Sequence, residues 1–307
     1  MLAVGWRNSQ HNPINPKNMF AIAIEQKQYK TYSLLDESAK SLVEVVPERG
    51  GIITRWCINN QELLYLDAER FTNPDLSVRG GIPILFPICG NLPDNTYQYE
   101  GREYTLKQHG FARDLPWEVT EQTSTDFAGL TITLASNPQT LALYPFEFQV
   151  TFAYELQGNT LTLRQSYTNL SKEPMPFSTG LHPYFWVSDK PQLQFDIPSS
   201  EYLDQKNKTT HSFTGSFDFD RDEIDVAFPQ LTRQSATVTD PSRNLQLDLE
   251  FDPSYSALVF WTLKGKDYYC LEPWTGLRNA LNTGDLLISL EPGGTYETLF
   301  KLTAKLF

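Results

Sequence analysis

Hydrophobic and polar residues alternate along much of this chain with a period of two. Phe146, Phe148, Val150, Phe152 and Tyr154 interleave with Glu147, Gln149, Thr151 and Ala153, as in a strand with one face buried and one wet. Past Gln157-Gly158-Asn159 the pattern resumes, with Leu161, Leu163, Gln165 and Tyr167 set against Thr160, Thr162, Arg164 and Ser166. Two such runs around a Gly-Asn pair predict a β-hairpin. Leu245, Leu247, Leu249 and Phe251 repeat the alternation against Gln246, Asp248 and Glu250. Shorter strands are expected at 41–46, 51–58, 61–66, 102–106, 117–122, 129–135, 192–196, 234–239, 256–263, 267–272, 287–291 and 295–306. No helical stripe extends beyond two or three turns, and short helical connectors are expected at 137–143 and 276–281. Many strands punctuated by Gly, Pro, Asn and Asp predict an all-β protein, a large antiparallel β-sandwich or barrel-like stack. No repeat or composition break marks a linker, so residues 19–307 read as a single domain. Residues 1–18, polar and carrying two Asn-Pro pairs, read as a flexible N-terminal arm.

Composition narrows this picture. A length of 307 residues admits one large domain or two ordinary ones, and 19 Phe, 15 Tyr and 6 Trp favour strands. The net charge of −12, with no basic cluster to offset it, would repel nucleic-acid phosphates and anionic lipid. Neither nucleic acid nor membrane is an expected partner. Three cysteines without a C-x-x-C pair argue against a disulfide scaffold and a structural zinc site. The first residues lack the apolar core of a signal peptide, and no apolar run approaches the roughly 18 residues that span a bilayer. A cytoplasmic location is expected.

Candidate chemistry concentrates first between Val78 and Trp117. Pro83 and Pro87 exclude a helix there, so the stretch is extended chain and turns, suited to presenting polar groups to a ligand. Of four histidines, His11 and His211 lie in polar surroundings and read as solvated surface residues. His109, in Lys107-Gln108-His109-Gly110-Phe111-Ala112-Arg113, and His182, in Gly180-Leu181-His182-Pro183-Tyr184-Phe185, sit among glycine, proline and aromatic residues. Each is either a buried ring bonded to backbone or part of a proton-transfer site, since imidazole titrates near neutrality. Glu272 ends an apolar strand before Pro273; partial desolvation would raise its pKa toward that of a general base, whereas a strand-end carboxylate in water would not titrate so. Arg79, before Gly80-Gly81, and Arg113 offer forks of donors for hydroxyls, a carboxylate or a phosphate, or else ion pairs that hold a carboxylate in place.

Five blocks in order resemble the aldose 1-epimerase (galactose mutarotase-like) family: VVPERGGIITRWCINNQELLYLD, then GGIPILFPICGNLPDNTY with YEGREYTL and QHGFARDLPWEV, then GLHPYF, LEPWTG and EPGGTYETLFKL. The second block resembles the shorter bacterial branch, and the likeness runs from about residue 40 to the end. It implies a large β-sandwich whose cleft binds a pyranose without metal or organic cofactor and interconverts α and β anomers through the open-chain aldehyde. By position it implies Glu272 as the base at the C1 hydroxyl and His182 as the acid at the ring oxygen. His109, Arg79 and Asp225 match substrate-binding positions. Gln108-His109-Gly110-Phe111-Ala112-Arg113 also resembles the branch acting on hexose 6-phosphates, in which this arginine contributes to a phosphate pocket. The intervening ICGNLPDNTYQYEGREYTL differs from that branch's shorter loop, which leans the expectation slightly toward an unphosphorylated aldose. Arg79, Arg113, Arg102 and Lys107 would hold a phosphate if they converged. Tyr184, Phe185 and Trp274 either stack on the sugar or fill the core.

Other classes fit some of these residues. A sugar-binding module on the same fold would need no turnover. A glycoside hydrolase or lyase would use Glu272 and Asp225 as paired carboxylates, although two histidines suit ring opening better. A monomer or a homodimer is compatible with everything above.

Overall fold

The computed structural model describes residues 19–307; the expected N-terminal arm at 1–18, with His11, lies outside them. The described chain is all-β, and its strand pairs are antiparallel. Two eight-stranded sheets and a five-stranded sheet carry most of the strands.

The predicted hairpin joins Phe148–Gln157 to Thr160–Asn169 in a register that sets Gln157 opposite Thr160. Gly158 takes φ +59 at the first loop position, where a two-residue hairpin loop needs a residue tolerant of positive φ. Inward residues of the second strand, Leu161, Leu163, Gln165 and Tyr167, are buried. Gln165 is polar yet satisfied: its amide donates to the Tyr255 hydroxyl at 2.6 Å and its carbonyl accepts from Tyr167 at 2.8 Å. Thr295–Leu306 pairs beside this hairpin, and Leu245–Phe251 beside that. The short helix Pro138–Leu143 opens with Asn137 accepting from the backbone of Gln139 and Thr140, a side-chain cap for otherwise unpaired donors.

Several expectations need correction. Phe20–Gln26 and Lys30–Asp36 form a further hairpin on the five-stranded sheet; the first of these is largely open to water, so no clean alternation announces it. The strand expected at 61–66 is only Gln61–Glu62, followed by isolated bridges at Leu64 and Leu66. The connector expected at 276–281 is a turn leading into Ala280–Thr283. The strand expected at 267–272 continues through Pro273 to Trp274.

The second eight-stranded sheet positions the chemistry. In it Glu223–Phe228 pairs with Ala257–Leu263, which pairs with Tyr268–Trp274. Register places Asp225 opposite Trp261, Trp261 opposite Cys270, and Cys270 opposite Tyr184. Val259 lies opposite Glu272. Because side chains alternate across a strand, these residues share one face. Ile224, Val226, Leu258, Phe260, Tyr269 and Leu271 share the other and enter the main core.

Candidate active site

The polar face of that sheet floors a cleft of about 460 Å³, within the range of small-molecule sites. Glu272, His182, His109, Arg79, Arg113 and Asp225 all line it, although they are scattered from residue 79 to residue 272. Tyr184, Trp261 and Trp274 add aromatic walls, and Arg70 and Arg278 add further guanidinium groups.

Glu272 is not a strand-end residue. It sits inside a strand whose seven residues are all buried, and its side chain is 1% exposed. His182 Nε2 lies 3.3 Å from Glu272 Oε1, and the Trp274 indole N–H donates to Glu272 Oε2 at 3.1 Å. The separation has ion-pair geometry, yet burial drives both groups the other way. Desolvation, helped by the charge of Asp225, raises the Glu272 carboxyl well above its usual range against the pull of Trp274, Arg278 and Arg113. Desolvation and then the charge of Arg113 lower His182 to about 3. A protonated carboxyl donating to neutral Nε2 satisfies the same distance and buries no charge. Either way the pair holds one proton between two heavy atoms.

His109 is held by backbone. It occupies φ +66, an uncommon region for a non-glycine residue. Gly110 beside it has φ +71, and a Cβ there would come within 2.2 Å of the Phe86 carbonyl oxygen. The Gly90 N–H donates to His109 Nδ1 at 3.1 Å, so the neutral ring carries its proton on Nε2. Burial first, and the nearby Arg113 second, keep this imidazole well below its ordinary pKa. The rings of His109 and His182 meet edge-on with centroids 5.4 Å apart, and His182 stacks on Tyr184 at 4.7 Å.

Beside this floor is a clamp centred on Arg278. It donates to Asp225 Oδ2 at 2.8 Å, to Gln205 Oε1 at 2.7 Å and to Asn91 Oδ1 at 2.8 Å. Gln205 in turn donates to Asp225 Oδ1 at 2.8 Å. Both carboxylate oxygens are therefore fixed, and each keeps acceptor capacity. Burial nonetheless raises the Asp225 pKa, with Arg278 opposing. Arg113 donates to the Gln108 carbonyl at 2.8 Å, while its buried Nε has no partner among the described residues. Arg79 lines the cleft with no side-chain hydrogen bond or ion pair to another described residue. Its backbone is brought inward at Gly81, where a Cβ would meet the Ile53 carbonyl oxygen at 2.1 Å.

The set of residues expected to hold a phosphate changes. Arg102, on an exposed two-stranded hairpin, and Lys107 do not line the cleft; Arg70 and Arg278 do. Phe185 packs in the core against Tyr269 instead of facing the cleft. His211 is exposed beside Tyr202. Arg278 lies two residues past the LEPWTG block, but its reach to Asn91 and Gln205 has no signature in local sequence. Cys270 shares this face without lining the cleft, and one donor atom each from Cys270, His182 and Glu272 fall within 4.8 Å of one another, the only such group of metal-ligating type among the described residues.

The antiparallel β fold thus sets a buried Glu272–His182 contact at the base of a polar cleft. The aldose 1-epimerase family profile matches residues 32–303, and the chain belongs to that family, with a mutarotase-type isomerase function acting on a small sugar. The solved structure of the Slr1438 protein from Synechocystis sp. PCC 6803 superimposes with a TM-score of 0.90 at 45% identity, covering 94% of this chain and 100% of that one. Protein LacX from Lactococcus lactis is 27% identical over 68% of this chain and 78% of its own length. A protein of Cenchrus ciliaris named putative glucose-6-phosphate 1-epimerase is 30% identical over 59% of this chain and 56% of its own. Among the described residues no helix is long and apolar enough to cross a membrane.

Proposed function

We propose that this protein interconverts the α and β anomers of an aldose by opening and reclosing the pyranose ring, with Glu272 as base and His182 as acid. The observation that carries the reading is the 3.3 Å approach of these two buried groups at the floor of the cleft. In the opening step the Glu272 carboxylate takes the proton of the C1 hydroxyl. The bond from C1 to the ring oxygen breaks, C1 becomes a carbonyl, and the His182 imidazolium protonates the ring oxygen. Rotation about C1–C2 presents the other carbonyl face, and the reverse transfers close the ring. Each group ends the cycle as it began.

Burial sets the resting state of the pair as neutral without changing its proton count. The charge-separated pair that starts the reaction contains the same number of protons as the neutral pair that burial favours. Reaching it shifts one proton between neighbours and imports no net charge. Ring opening then discharges the pair, because Glu272 gains a proton from the sugar and His182 gives one up. His109 Nε2–H, Arg113 and Asp225 supply contacts to sugar oxygens, and Tyr184 and Trp274 offer ring faces to its C–H surface. Oriented binding and positioned proton transfer suffice for a reaction that free sugars already undergo in water.

A second substrate reading, a hexose 6-phosphate, is favoured by the four guanidinium groups of Arg70, Arg79, Arg113 and Arg278 around one cleft. The name of the Cenchrus ciliaris relative supports it. Polarimetry on freshly dissolved α-glucose, α-galactose and their 6-phosphates tests both readings. The proposal predicts catalysed relaxation that Glu272→Gln abolishes while the fold survives; unchanged catalysis in that variant sinks it. A kcat/KM at least about tenfold higher for the phosphates would select the second substrate class.

A further inference from the structure

Cys270 is a metal-ligating type of side chain near the cleft floor that the isomerisation leaves unused. It lies two residues before Glu272 on the same strand face, wholly buried and not in a disulfide. Its sulfur, a Glu272 oxygen and a His182 nitrogen already lie within 4.8 Å of one another. Zinc bonds of about 2.0–2.3 Å make the edges of a coordination tetrahedron about 3.3–3.8 Å long. The 3.3 Å between His182 Nε2 and Glu272 Oε1 is already such an edge, and the sulfur, whose edges to nitrogen and oxygen would be about 3.5 Å, has at most about 1.3 Å to close.

From this geometry we infer that Glu272, His182 and Cys270 form a reversible inhibitory site for a thiophilic divalent cation, Zn²⁺. Thiolate, imidazole and carboxylate together suit zinc, whereas Mg²⁺ demands oxygen ligands in an octahedron. One zinc enters and two protons leave: the one shared by Glu272 and His182, and the one on the Cys270 thiol. The dication is balanced by a carboxylate and a thiolate, so the filled site buries no net charge. Its fourth position faces the cleft and takes water, since Glu272 and His182 both open onto that space. Zinc and sugar then claim the same two side chains and exclude each other.

Two features make the site reversible instead of resident. A histidine in a permanent zinc centre gives its other N–H to a carboxylate, carbonyl or water, but His182 Nδ1 is buried without a partner among the described residues. Arg113 and Arg278 also lie near enough to act electrostatically on Glu272, disfavouring a second cation. The coordination argument stands without the catalytic reading; only the inhibition rests on it.

Cobalt tests the two parts separately. Titrating the full chain with Co²⁺ is expected to give a saturable thiolate-to-cobalt charge-transfer band, displaced by Zn²⁺. The band should vanish in Cys270→Ser and Cys270→Ala and persist in Cys57→Ser. In polarimetry Zn²⁺ should inhibit the wild type competitively with sugar, while Mg²⁺ has no effect. Both Cys270 variants should keep the metal-free rate and lose zinc sensitivity by more than the roughly 10- to 100-fold that the loss of an outer partner costs. No band in the wild type, or a band surviving in Cys270→Ala, overturns the site. A Cys270-dependent band with no loss of rate upholds the coordination and overturns Glu272 and His182 as the acid–base pair.

Discussion

The strands Thr160–Asn169 and Tyr268–Trp274 contribute to one core yet bury their residues by different rules. In the first, buried and partly exposed positions alternate almost perfectly; in the second, all seven residues are buried. The first has water on one side. The second has the core on one side and the walls of a cleft on the other, built from the turns that carry His109, Arg113 and His182. One-sided burial is written in the sequence as alternation, whereas two-sided burial erases it. The difference teaches that a buried carboxylate in such a strand is protected by architecture that its neighbours in sequence do not reveal.

The sharpest way to break this comparison is Glu272→Gln. It keeps shape and removes the titrating group, so about a 10³-fold loss of polarimetric rate is expected, with the thermal midpoint close to the wild type. A rate within tenfold of the wild type would put the chemistry elsewhere. The opposite outcome is expected on the one-sided sheet. Phe152 is fully buried there, and Phe152→Ala should cost about 3–5 kcal/mol by denaturant titration while the folded fraction keeps its KM.

Smaller effects refine the account of the cleft. Arg278→Met releases Asp225 and Gln205 together; losing hydrogen bonds to a charged group, at about 1.5–3 kcal/mol, should lower kcat/KM about ten- to a hundredfold, mostly through KM. Rate against pH reads the depth of burial. His182, lowered to about 3, stays neutral until well into acid, and the pair loses its base only when it takes a second proton. The enzyme should therefore hold its neutral-pH rate at pH 5, whereas a solvated pair with ordinary values, active as carboxylate and imidazolium, would run faster at pH 5 than at pH 7. A limb near 6.5 would mean that the floor is wet. Least affected should be Arg164→Ala on the exposed face of the hairpin, where a pair with Glu155 at 2.8 Å is open to solvent; less than about 1 kcal/mol is expected.

Legibility followed the same division. The hairpin, the strand Leu245–Phe251 and the closing strand could be read from alternation, and the Asn137 cap fits the expected connector. The opening hairpin at Phe20–Gln26 could not, because four of its seven positions are exposed. Residue chemistry singled out Glu272 and both cleft histidines, and family resemblance gave them roles. Their convergence in one cleft depends on cross-strand register, which no local pattern contains. The cations illustrate this most clearly. Arg102 and Lys107 are near His109 in sequence but remain outside the cleft, while Arg70 and Arg278 reach it from distant segments.

The Arg278 clamp has a consequence for how the cleft comes into being. Its members, Asn91, Gln205, Asp225 and Arg278, are far apart along the chain, so closing it requires loops of dozens of residues to be paid for in chain entropy. Contacts of such long range form late and slow folding. A nascent or partly unfolded chain therefore has no half-built sugar site to offer. A ligand that grips this wall binds only the finished structure, and its binding energy is shared with the whole fold.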